Sequence, residues 1–242
     1  KYNGNKWEES QLLEPEDYYK DANFGYSVFI NDTYIYVGSI GNSRDETEKF
    51  SSYTRNMGKM YVYKFNESGQ YWENTQKLLT TNNNVDKYFG AAIASYNNTL
   101  ILSSLENNNT GAVYRFFKFG DSDWFIDRNL ITSKTTAKRF DSLNIYSSTL
   151  DDKQENSYFG NKLEITQDNI IVSAYGADLN KGAVYIYKYN DSILDEPHTL
   201  LQKLSPSLSN GSKFGFSMSL KNNTLIIGSY GSNQVYQYNK VN

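Results

Sequence analysis

The 242-residue sequence predicts an all-β fold, a β-propeller of four four-stranded antiparallel blades in a single domain, 1–242, with the last blade closed by the N-terminal strand. Three observations predict it. Four Phe-Gly pairs stand 55 to 70 residues apart, the same succession of short segments follows each of these four, and the N-terminal residues carry the pattern of the segment that the last unit lacks. Self-similarity at such spacing marks a repeat architecture, in which each unit buries its faces against its neighbours.

The four repeating pairs are Phe24-Gly25, Phe89-Gly90, Phe159-Gly160 and Phe214-Gly215, spaced by 65, 70 and 55 residues. Behind each comes a first alternating stretch, at 27–30, 92–95, 162–165 and 217–220. A polar turn follows: Asn31-Asp32, Asn97-Asn98, Gln167-Asp168 and Asn222-Asn223. The next stretch is nearly all apolar, at 34–38, 100–103, 170–173 and 225–228. An aromatic stretch comes third, at 60–63, 112–116, 183–187 and 234–238. The fourth is Trp72-x-x-x-Gln76-Lys77-Leu78-Leu79, matched by Trp124 to Ile131 and by Gln202-Lys203-Leu204.

These segments are too short and too rich in β-branched and aromatic residues for helices, and two-residue Asn turns are hairpin chemistry. The third strand is apolar on both faces, with Tyr185 and Tyr187 on one and Val184 and Ile186 on the other. Both faces therefore need cover, which radial stacking of sheets supplies. Gly25, Gly90, Gly160 and Gly215, with Ser27, Ala92 and Ser217 two residues on, suit a crowded axial strand. Lys162 breaks that pattern and either projects into the axial channel or is solvated.

Blades are expected at about 14–79, 80–131, 151–204 and 205–242 plus 1–13. Closure follows from phase. Trp7 to Leu13 matches the fourth segment, and the chain stops after a third segment, so pairing the two removes the open edge. The alternative is part of a longer, seven-bladed propeller. Insertions at 42–56 and 132–150 interrupt the pattern and are either recognition loops or neutral surface.

Phe24-Gly25-Tyr26-Ser27-Val28, Val37-Gly38-Ser39, Phe159-Gly160, Val172 to Ala177 and the Gly-Ala-Val-Tyr runs at Gly111 and Gly182 resemble the FG-GAP repeat, the propeller unit of integrin α-subunit heads and many secreted proteins. The resemblance covers the chain except its two insertions, and implies an extracellular or cell-surface adhesion-type module. Integrin-type heads resemble seven-bladed rings, and several of their units carry a calcium loop after the Phe-Gly strand. Here that connection is a two-residue turn with no room for the oxygen ligands, so no calcium is expected at that position.

Composition narrows the function. The net charge of −3, with 24 basic and 27 acidic residues, contains no basic block to bind nucleic acid. No run of the chain is apolar enough to span a membrane. With no Cys and one His, disulfides, thiolate chemistry and His-based metal or triad sites drop out. No catalytic, cofactor or metal residues are assigned. Asp151-Asp152 and Asp121-Ser122-Asp123 lack the spacing of a cation loop and read as solvated. His198, beside Asp195 and Glu196, reads as a surface residue, and Trp7, Trp72 and Trp124, in register with the repeat, as packing between outer strands.

Glycosylation candidates are the sequons at Asn31, Asn66, Asn97, Asn108, Asn190, Asn210 and Asn222, with Asn31, Asn97 and Asn222 at one turn in three units. Tyr53, Tyr175 and Tyr230 are loop tyrosines able to stack on a ligand. The expected function is a secreted, non-catalytic binding module taking a protein or glycan through rim loops, or self-associating. The alternative is a structural subunit of an extracellular glycoprotein filament or coat. An enzyme such as a glycan lyase or hydrolase lacks a frame of acids or histidines.

Overall fold

A computed structural model of the chain describes residues 4, 6–17, 21–41, 56–79, 86–107, 111–121, 123–126, 140–141, 156–189 and 199–241. Each repeat folds as an antiparallel meander. Sheet 1 is β1 (Phe24–Ile30), β2 (Tyr34–Ser39), β3 (Lys59–Asn66) and β4 (Tyr71–Leu78), in that order. Sheet 2 is β5 (Asp86–Tyr96), β6 (Thr99–Asn107), β7 (Ala112–Phe117) and β8 (Phe125–Ile126), and the two-residue β9 (Phe140–Asp141) also pairs with β7. Sheet 3 is β10 (Leu163–Ile165), β11 (Asn169–Ala174), β12 (Ala183–Lys188) and β13 (Leu200–Leu204). Sheet 4 has three strands, β14 (Phe214–Lys221), β15 (Thr224–Ser229) and β16 (Gln234–Asn239).

The turns form for local reasons. Asn31 Oδ1 accepts the Thr33 and Tyr34 N–H groups, at 3.1 and 2.8 Å, and so replaces a backbone turn bond. Asn97 and Asn222 take left-handed φ values of 49° and 53°, which asparagine tolerates better than bulkier residues. In the third unit Thr166 Oγ1 does the same work, accepting from Asp168 and Asn169. The Phe-Gly pair is a β-bulge: the β1–β2 register slips between Phe24 and Ser27, β5–β6 between Phe89 and Ile93, and β14–β15 between Phe214 and Ser217.

Successive sheets stack face to face, and the seams are the core. Between sheets 1 and 2 lie Tyr34, Tyr36, Met60 and Val62 against Phe89, Leu100, Leu102 and Tyr114. Between sheets 2 and 3 lie Ala92, Ile101 and Val113 against Val172, Tyr185 and Tyr187. Val184 and Ile171 face Leu225 and Ile227 in the third seam. Phe89, Phe159 and Phe214 are fully buried, each contributing about 2–3 kcal/mol of apolar burial.

Three of the four expected close approaches occur, each against the preceding unit: a Cβ on Gly90 would lie 3.0 Å from Lys59 O, one on Gly160 2.7 Å from Ser103 Cβ and one on Gly215 3.1 Å from Ala183 O. A Cβ on Gly111 would lie 2.2 Å from Phe159 O, and one on Gly58 2.2 Å from Phe89 O, so a glycine before the third strand seats the next unit's Phe-Gly backbone. Gly182 seats Phe214 in the same way. Nothing lies within 4 Å of a Cβ on Gly25, so the first Phe-Gly has no such neighbour.

Closure into a ring of four four-stranded blades is corrected by the structure. Among the described residues no sheet is closed, sheet 4 has three strands, and β16 pairs only with β15. The N-terminal segment lies on sheet 1 instead. Gln11 Nε2 donates to Trp72 O and Trp72 N–H donates back to Gln11 Oε1, both at 2.7 Å. Tyr63 OH donates to Glu14 O at 2.9 Å. Segment counting finds a missing strand and a spare one, but the angle between successive sheets is set by seam packing, which the repeat count does not contain. The result is four blade-like sheets in sequence order.

Candidate functional site

The Phe-Gly bulges and the β2–β3-type loops emerge at the same end of the sheets, and there the sequence gathers aromatic side chains. The residue before each Phe-Gly pair, Asn23, Tyr88, Tyr158 or Lys213, is left-handed, with φ between 51° and 60°. For Tyr158 and Lys213 this conformation costs energy, and it throws their side chains towards the rim of units 3 and 4. Tyr158 stacks on Tyr175 at 4.7 Å with only 7° between the planes. Phe216, two residues after Phe214, meets the Tyr175 ring at 5.2 Å and 68°, and Tyr230 meets Phe216 at 4.7 Å and 70°.

Lys213 Nζ lies 5.2 Å from the Tyr175 ring centre and donates to Asn180 Oδ1. Asn161 Nδ2 donates to Phe216 O at 2.8 Å, tying the rims of units 3 and 4. Burial first, and then the neighbouring Tyr158, Tyr230 and Tyr26, pushes the Tyr175 phenol up to about 12, so it remains a neutral donor. Tyr230 is 56% and Phe216 44% exposed, and Tyr26 of unit 1 is exposed as well. The arrangement is an apolar, hydrogen-bonding surface built from several units, of the kind suited to binding.

A second polar feature anchors the N-terminal segment. Asp17 accepts from Lys59 Nζ and Tyr61 OH, at 2.5 and 2.6 Å, and Lys77 Nζ lies 3.3 Å away. The Asp17 and Lys59 side chains are each 6% exposed. Burial alone would raise the Asp17 carboxyl, but the hydrogen bonds from Lys59 and Tyr61 and the charges of Lys59 and Lys77 hold it below its ordinary value. This is a structural clasp. Among the described residues no cluster of three or more potential metal ligands occurs.

The other expected residues scatter. Asn97, Asn210 and Asn222 are exposed, whereas Asn31 and Asn66 are half-buried, with their Oδ1 atoms accepting backbone N–H groups. Asn108, Asn190, His198, Tyr53, Asp151, Asp152, Ser122 and insertion residues 42–55, 132–139 and 142–150 lie outside the described residues. Lys162 is exposed, ahead of β10. Trp124 packs edge-on against Tyr34 and Tyr36 in the seam between sheets 1 and 2, whereas Trp72 packs on Phe65, its cross-strand partner in sheet 1. Trp7 is 80% exposed. Tyr158, Lys213 and Phe216 were not among the expected ligand residues; their signal is position, one before or two after Phe-Gly.

The comparisons agree with this architecture over part of the chain. The FG-GAP repeat matches residues 149–187, the part of the third unit ahead of β13. No curated protein matches the sequence. No helix among the described residues is long and apolar enough to cross a membrane. The partial FG-GAP match and the four antiparallel sheets together describe a blade-like fold of the propeller family.

Proposed function

We propose that the chain is a non-catalytic binding module of the extracellular space or cell surface, taking a protein ligand on the rim formed by Tyr26, Tyr158, Tyr175, Phe216 and Tyr230. The observation that carries this reading is the exposure of Tyr230 and Phe216 beside a half-buried, stacked Tyr158–Tyr175 pair. Rigidly supported aromatic rings give large contact area at little entropic cost, which is why they anchor protein interfaces. A protein surface is favoured over a glycan because the exposed Phe216 and Tyr230 rings meet at 70° and present edges rather than one flat stacking face.

The test is to pan a displayed random-peptide library on the chain and on a Phe216→Ser/Tyr230→Ser variant. Selected peptides should bind the parent and lose at least tenfold on the variant, with thermal melting unchanged. Peptides that ignore the substitutions, or hits confined to a glycan array, contradict the reading. Placement outside the cell is supported by exposed sequons at Asn97, Asn210 and Asn222. Intact mass of the protein secreted by a eukaryotic host should fall on deglycosylation, and an unchanged mass contradicts that placement.

A further inference from the structure

We propose that the groove between β13 and β16 seats an outer strand supplied by a second copy of this chain, residues Trp7 to Leu13, so that molecules join head to tail. The groove has a volume of about 510 Å³ and is lined by Asn169, Ile171, Ile186, Gln202, Tyr238 and Lys240, among others. Its positions repeat those that hold an outer strand in the first seam. There Trp124 rests on Tyr34 and Tyr36, whose places in sheet 3 are taken by Asn169 and Ile171. Gln76, paired with Val62, grips the Trp124 backbone through Nε2 to O and N–H to Oε1, both at 2.7 Å. Gln202, paired with Ile186, stands in the same register of sheet 3. Lys118 follows β7 and lies 5.8 Å from the Trp124 ring; Lys240 follows β16 and lines the groove.

Two further observations name the occupant. β16 pairs only with β15 among the described residues, so its outer edge offers backbone groups to an added strand. A fitting strand carries an aromatic residue four positions before a glutamine, as Trp72 and Gln76 do in β4, and Trp7 and Gln11 have that spacing. Gln11 already docks forward onto Trp72 as Gln76 docks onto Trp124, so the segment stands before sheet 1 as an outer strand stands before the next sheet. Sheet 4 accepts what the N-terminal segment offers. A heterologous contact of this kind builds chains rather than closed dimers.

The join is looser than an inner seam. Asn233, with φ 53°, stands where Gly58, Gly111 and Gly182 seat the next Phe-Gly, and its side chain keeps that contact apart. Association is therefore reversible and concentration-dependent.

Light scattering of the 242-residue chain made without glycosylation, because Asn222 flanks the groove, tests this directly. The mass should rise with concentration beyond a dimer. Trp7→Ala and Gln202→Ala should each weaken association at least tenfold, with melting unchanged. An equimolar mixture of the two variants should give a heterodimer and nothing larger, since one intact groove meets one intact segment. Should Trp7→Ala fail to fold, excess peptide of residues 4–14 should dissolve the parent's oligomers. A monomer at every concentration, association that survives both substitutions, or a mixture without heterodimer overturns the proposal.

Discussion

The inner seams and the two outer faces are built from the same repeat, yet they differ in how tightly the repeat is used. In the seams a glycine before the third strand admits the next Phe-Gly backbone, and the buried phenylalanine fills the space between sheets. On the outer face of sheet 1, Val28 and Ile30 share a side with Val37 and Ile35, and Val28 is 70% exposed. On the outer face of sheet 4 the matching row is Ser217, Ser219, Ile226, Val235 and Gln237. One outer face is apolar and the other largely polar. The seams thus hold the molecule, while the outer faces are free to diverge.

Substituting the seam glycines should break this contrast most sharply. Gly111→Ala places a Cβ 2.2 Å from Phe159 O at a φ of 93° and should cost about 3 kcal/mol or more by denaturant unfolding. Gly25→Ala, at a φ of 87° with nothing within 4 Å, should cost only about 1–2 kcal/mol from backbone strain. Equal costs would mean that seam contact is not what selects these glycines.

The Asp17 clasp comes next. Lys59→Met leaves a buried carboxylate without its main partner and should loosen the N-terminal segment by about 3 kcal/mol, read as faster proteolysis ahead of Phe24. Because the Asp17 carboxyl is held below its ordinary value, its contribution is complete above the ordinary carboxylate range. It is lost as pH falls through the depressed value. Asp17→Asn should remove that acid-side slope, measured as melting temperature against pH.

Glutamine supplies the finest comparison. Gln76→Ala removes both bonds to the Trp124 backbone and should cost about 1–2 kcal/mol, whereas Gln202→Ala in dilute solution should stay within about 0.5 kcal/mol. Matching losses would show that β13 already grips an outer strand within one molecule.

Much of this was legible in the residues. Asn31-Asp32 and Asn222-Asn223 mark their hairpins because their turn chemistry is local, and Tyr185 with Val184 shows that β12 is covered on both faces. Gly90, Gly160 and Gly215 were recognisable as close approaches, but the atoms they approach (Lys59 O, Ser103 Cβ and Ala183 O) belong to the preceding unit, and only packing reveals that. Ring closure was misread because complementarity between Trp7–Leu13 and the last unit says nothing of the angle between sheets. The rim was half visible: Tyr175 and Tyr230 stood out as loop residues, while Phe216 and Tyr158 were hidden beside the motif itself.

Amide hydrogen exchange at low protein concentration tests the central claim, that four stacked sheets stand without β16 being covered by the chain's own N-terminal segment. The outer-edge amides of β16 should exchange quickly, while those of β7 and β12 stay protected. Protection of β16 equal to that of β12 in a monomer would contradict the account.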